Sequence, residues 1–169
     1  MKKSKVKTLQ ELKEIIKKLS EEKRNEFYGR IYTRIIGVLA KRLIKYEGYS
    51  TTKKILEREI KQIGRTDAQK AKKILKIRKI NEEAISKILK FLALNLGFNL
   101  EIKNDETYIK NCPFAIAARE MNEPLIAEIC SWYCEGVTEE LGGDKYEWKG
   151  FHDFRRDPTI CYFTHRKKK

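Results

Sequence analysis

The chain has 169 residues, 41% of them hydrophobic and 37% charged, with a formal net charge of +14. That length suits one ordinary domain that buries its own core without needing disulfides or metal to fold. No apolar stretch reaches membrane-spanning length, and the start MKKSKVKTLQELKEIIKK has neither the apolar core nor the small-residue cleavage site of a secretory leader, so a cytoplasmic protein is expected.

The predicted elements begin with a helix over 8–19, where Thr8 and Glu11 form a capping box and Leu9, Leu12, Ile15, Ile16 and Leu19 recur at helical spacing. Ser20, followed by Glu21 and Glu22, starts a second helix, the longest periodic one, whose Phe27, Tyr28, Ile31, Ile35, Ile36, Leu39 and Leu43 are expected to face a core until Gly48. A third runs from Thr51 to Ile63 and is closed by Gly64; Thr66 or Asp67 caps a fourth through AQKAKKILKI. Asn81 caps a fifth, carrying Ile85, Ile88, Leu89, Leu92 and Leu96 on one face and stopped by Gly97.

Beyond Gly97 the period changes. FNLEI, KNDE and TYIKN read as a hairpin, Pro113 and Pro124 open two further helices, Gly142 and Gly143 close the second of them, and KYEWKG and TICYFTH read as two more strands. The expected class is α+β in a single domain 1–169: a basic helical part over 1–97, then 98–165 as strand-strand-helix-helix-strand-strand, with an antiparallel sheet of about four strands packed on helices. A basic tail, 166–169, follows.

Residues 1–80 contain 25 Lys or Arg against 9 Asp or Glu, whereas 81–169 contain 13 against 15. The basic surplus therefore belongs to the first half. Such helices meet nucleic acid, an acidic protein or an anionic surface by long-range attraction, or they are simply lysine-rich for solubility. No helix-turn-helix spacing, RNA-binding aromatic motif or glycine-rich phosphate loop selects nucleic acid. Abundant Lys and Ile with few Asn and Gln lean toward a thermophile.

Three of the four cysteines lie in NCPFAIAAREMNEPLIAEICSWYCEG; the fourth is in DPTICYFTH. Cys130 and Cys134 are one helical turn apart and share a face. Cys112 precedes Pro113 at a helix start, where free amides and the helix dipole favour a thiolate. Three readings stand open: buried core thiols, disulfides of the kind hyperthermophiles tolerate inside cells, or a tetrahedral zinc site from Cys112, Cys130, Cys134 and Cys161, with His152 as an alternate ligand.

The segment YIKNCPFAIAAREMNEPLIAEICSWYCEGVTEELGG, followed by KYEWKGFHDFRRDPTICYFTH, resembles the C-terminal half of the 4-vinyl-reductase-like, or hydrocarbon-binding, domain family over roughly residues 100–165. It is equally similar to the family of L-2-amino-thiazoline-4-carboxylic acid hydrolases. The first resemblance implies a stand-alone sensory or regulatory domain of archaeal-like type that pairs as a dimer through helices. It binds a small apolar or aromatic molecule and holds a structural zinc ion, with Cys112 and Cys161 the best-matched ligands. The sequence reads Arg156-Asp157-Pro158 where that family has Gly-Asp-Pro, and Gly150 and Asp153 stand where it has Glu and Cys, so Cys130, Cys134 or His152 has to complete the set.

Phe91, Phe98, Phe114, Trp132, Tyr133 and Trp148 are the candidate pocket residues, each alternatively a plain core aromatic. The hydrolase resemblance implies a Cys112 or Cys134 nucleophile with His152 or His165 as base and Glu139 assisting, a constellation that needs contact in space. No catalytic residue is assigned from the sequence, and binding is the reading preferred over catalysis.

Overall fold

A computed structural model describes residues 14–15, 17–103, 106–110, 112–152 and 160–167. The predicted first helix, 8–19, lies for the most part outside them. Helix α1 (Glu21–Glu47) is opened by Ser20, whose hydroxyl accepts from the Lys23 amide at 3.3 Å, and ends at Gly48, where φ is +81°. Helix α2 spans Tyr49–Ile74. Helix α3 (Glu82–Asn95) is capped by Asn81, whose side-chain oxygen accepts from Ala84 N–H at 2.8 Å. Helices α4 (Pro113–Glu120) and α5 (Leu125–Gly142) follow the first two strands.

One helix boundary differs from the expected one. Gly64 does not close a helix; α2 passes straight through it and through Thr66 and Asp67. The reason is tertiary. A Cβ on Gly64 would collide with the carbonyl oxygen of Tyr133 on α5, and a Cβ on Gly136 would collide with the carbonyl oxygen of Lys61 on α2. The two backbones touch where these glycines face each other, and Thr52, Ala68 and Ala71 continue the small, buried face of α2. The packing gained by close approach outweighs the roughly 1 kcal/mol of propensity that a mid-helix glycine costs.

The strands are β1 (Asn99–Lys103), β2 (Glu106–Lys110), β3 (Tyr146–His152) and β4 (Ile160–Lys167), all paired antiparallel in the order β1-β2-β4-β3. Arg166 and Lys167 of the basic tail are the end of β4, opposite Glu147 and Tyr146. The expected α+β class is corrected: this is a predominantly helical molecule with a small sheet at its side, because α1–α5 hold far more residues than the four strands, although beyond residue 97 helix and strand are nearly equal. Ile109 of β2 is buried in the core, and α3 and α5 supply much of the rest. Strand alternation is visible in a sequence; how many helices pack on one another rather than on the sheet is not.

Burial of Ile85, Ile88, Leu125, Ile126, Ile129 and Val137, each essentially inaccessible, contributes about 1.5–3 kcal/mol apiece. Around this core the uneven charge finds internal partners. Arg34 pairs with Glu120, Lys53 with Glu128, Lys61 with Glu135 and Glu139, and Arg65 with Glu139, each joining a base of the first half to an acid of the second.

Partial burial acts to raise the Glu139 carboxyl, but hydrogen bonds and charge from Arg65 and Lys61 win and hold it below its ordinary value of 4.5. A depressed carboxyl stabilises the fold above its unfolded value and loses that contribution as pH falls through the folded one. Acidification below pH 4.5 should therefore narrow the stability gap between the native chain and Glu139→Gln, read as denaturant midpoints at several pH values. An unchanged gap would show that these half-exposed pairs are energetically idle.

Candidate functional site

Between the helices and the sheet lies a cavity of about 180 Å³. Every helix reaches it: α1 through Ile36, α2 through Ile60, Ile63 and Asp67, α3 through Leu89 and Ala93, α4 through Phe114, and α5 through Ile129, Cys130, Tyr133 and Cys134; Leu96, Phe98 and Ile109 close the sheet side. Phe98 and Phe114 meet edge-on, with ring centroids 6.1 Å apart and planes at 61°. The lining is almost wholly apolar.

Its polar feature is a pair. The Tyr133 hydroxyl donates to Asp67 Oδ2 at 3.1 Å, and Asp67 Oδ1 lies 3.4 Å from Lys70 Nζ. Burial first, then the Asp67 carboxylate and its hydrogen bond, push the Tyr133 phenol far above its usual value, so it stays a neutral donor. A ligand polar group beside this pair meets both a phenol oxygen and a carboxylate.

The expected pocket aromatics separate. Phe98, Phe114 and Tyr133 line the cavity. Phe91 and Trp148 are half-buried against the main core cluster without lining it. Trp132 does not line it either: it packs in a separate cluster with Leu125 and Ile129 against Ile36, Ile44, Leu56, Ile60 and Phe114, several of which form the cavity wall. Successive helical residues diverge by about 100°, so Tyr133 and Trp132 cannot serve the same wall. Sequence reasoning missed Asp67, Ala93 and the α2 isoleucines; the position of Asp67 on the same helical face as Ile60 and Ile63 was the available signal.

Cys112, Cys130 and Cys134 are buried, and none of them is joined in a disulfide. The expectation of an ionised Cys112 is corrected: hydrogen bonding with the Cys130 thiol, and then burial, push its pKa well up, and the opposing pull of the Ala115 and Phe114 amides does not compensate. A helix start favours a thiolate only when the site is solvated or otherwise charge-balanced. Cys161 lies on β4 opposite Ile109 of β2 and His152 of β3. The side chains of His152, Cys161 and His165 fall outside the described residues. Among the described residues no three of His, Cys, Asp and Glu come together as a metal site. Glu139 belongs to the ion pairs with Lys61 and Arg65, not to the cavity.

Native protein should accordingly resist alkylation at Cys112 and Cys130 while the denatured chain labels fully, read by peptide mass spectrometry. Rapid labelling of native Cys112 would restore the thiolate.

No protein-family model and no curated protein matches the chain. Among solved structures it is similar to the crystal structure of the phenol-responsive sensory domain of the transcription activator PoxR with phenol, at a TM-score of 0.57 and 18% identity, over 80% of this chain and 73% of that one. At that identity the likeness is one of fold. No helix among the described residues is long and apolar enough to cross a membrane.

Proposed function

We propose that this chain is a small-molecule-binding sensory domain of the 4-vinyl-reductase-like, hydrocarbon-binding kind. Its ligand is an apolar single-ring molecule bearing one hydrogen-bonding group. The cavity carries this reading: a closed apolar space of about 150 Å³ accepts benzene, and the 180 Å³ here adds room for a substituent. The edge-on Phe98 and Phe114 rings suit an aromatic guest, while Asp67 and Tyr133 orient its polar group. The shared fold with a phenol-responsive sensory domain supports the same class of ligand.

A fully buried, protonated Cys112 is a poor nucleophile, which favours binding over thiol hydrolysis. Calorimetric titration of the full chain with phenol, p-cresol, 2-naphthol and cyclohexanol tests the proposal. One saturable site for the single-ring phenols, with 2-naphthol excluded, is expected; no heat with any of them would overturn it.

A structural zinc ion belongs to the same proposal. Cys112 and Cys130 are already in thiol contact, and β4 brings the Cys161 backbone opposite Ile109, on the strand leading into Cys112. Cys112, Cys130 and Cys161, with Cys134 or His152, are the residues that would hold it. Bound zinc takes its sulfurs as thiolates and so ties α5 to the start of α4. Elemental analysis of protein purified without chelator should give one zinc per chain, lost in Cys112→Ser together with thermal stability. Metal-free protein of unchanged stability would remove zinc from the account and leave the cavity reading untouched.

A further inference from the structure

Among the described residues that line the cavity, Asp67 and Tyr133 alone carry side-chain oxygen, so the hydrogens they can offer a ligand are countable. A carboxylate only accepts; a phenol has one hydrogen to give and an oxygen that accepts. In this pair the one hydrogen is already spent, on Asp67 Oδ2 at 3.1 Å. Burial and the neighbouring carboxylate keep it on the phenol.

The other donors nearby point elsewhere or are weak. Asp67 Oδ1 lies 3.4 Å from the ammonium of Lys70, a side chain 69% exposed, which meets the carboxylate from the solvent side and does not line the cavity. Cys130 and Cys134 do line it, but a thiol is a poor donor. Toward the ligand space the pair therefore presents lone pairs and no spare hydrogen.

We infer that this site selects its ligand by hydrogen-bond polarity: the ring must bring a donor, a hydroxyl or an amine, to Asp67, and a ring whose polar group only accepts is rejected. The inference rests on the cavity being the ligand site. Its cause is an asymmetry of cost. A donor gains a charge-assisted hydrogen bond to the carboxylate. An acceptor gives up its water and meets only other lone pairs in apolar surroundings. Sites that pair a ligand hydroxyl discriminate more sharply than apolar walls discriminate by size. Asp67 is the specificity-determining residue, and the Tyr133 hydroxyl holds its carboxylate in position.

Rings of nearly equal size test this by calorimetric titration of the full chain: p-cresol and p-toluidine, which donate, against 4-fluorotoluene and benzonitrile, which do not. The donors should bind about tenfold tighter or more. Asp67→Asn keeps an oxygen for Tyr133 and adds amide hydrogens, so benzonitrile should gain about tenfold relative to p-cresol and the order should level. Tyr133→Phe leaves the carboxylate and should preserve the native order; circular dichroism checks that each variant is folded. Equal binding of p-cresol and benzonitrile by the native chain, an order unmoved by Asp67→Asn, or an order erased by Tyr133→Phe would each overturn the donor rule and leave the cavity standing as a ligand site. Binding of none of the rings would overturn the cavity reading and this inference with it.

Discussion

Gly136→Val is expected to lower the unfolding free energy by about 3 kcal/mol or more, the upper end of what overpacking costs, and at physiological temperature to leave much of the chain unfolded. The cause is backbone, not side chain. A Cβ at Gly136 runs into the carbonyl of Lys61, and one at Gly64 runs into the carbonyl of Tyr133, so neither clash can be relieved by a rotamer change. Relief requires α2 and α5 to separate, which opens the interface that buries Ala68, Ala71, Cys134 and Val137. Gly64→Ala and Gly136→Ala are milder forms of the same insult. Because both act by spreading one contact, their double variant should cost less than the sum. Denaturant midpoints by circular dichroism measure all of this; a Gly136→Val protein within about 1 kcal/mol of native would refute the close crossing.

The second large effect has two readouts of opposite sign. Ala93 lies on the cavity wall, so Ala93→Leu extends a branched side chain into the empty space. Filling part of a cavity of this size should raise the stability of the ligand-free protein by about 0.5–2 kcal/mol. The same substitution should abolish binding of p-cresol, because the ring and the new isobutyl group claim one volume. Titration calorimetry reads the second effect and thermal unfolding the first. A variant that is less stable and binds normally would mean that Ala93 does not face the ligand space.

Local chemistry was legible in the sequence. Ser20 and Asn81 cap the helices they were expected to cap, and Gly48 and Gly97 end the helices before them with positive φ. Those signals are short-range: a side-chain oxygen reaches an amide in the next turn, and glycine accepts a left-handed backbone. What failed were features decided by distant chain. Gly64 looked like a stop because a glycine inside a periodic segment usually is one; only its contact with α5 at residue 133, far along the chain, explains a helix that continues. Nor does charge counting along the chain say which bases are spent inside the fold: Arg34, Lys53, Lys61 and Arg65 are partnered by acids of α4 and α5.

The site was half legible for the same reason. Helical periodicity says that Trp132 and Tyr133 are both on α5, but which of the two directions faces the cavity depends on where α1 and α3 pack. The Cys112 thiol was misjudged because a helix start was weighed without its burial and without its neighbour Cys130. Long-range partners carry these outcomes, and a single sequence does not contain their positions.

The central claim is that the cavity among Asp67, Ala93, Phe98, Phe114 and Tyr133 holds a single-ring ligand. A crystal structure of the full chain grown with p-cresol tests it most directly. The account predicts the ring between Phe98 and Phe114, with its hydroxyl in hydrogen-bond range of Asp67 or Tyr133. Density for the ligand elsewhere, or a cavity that stays empty at saturating p-cresol, would contradict it.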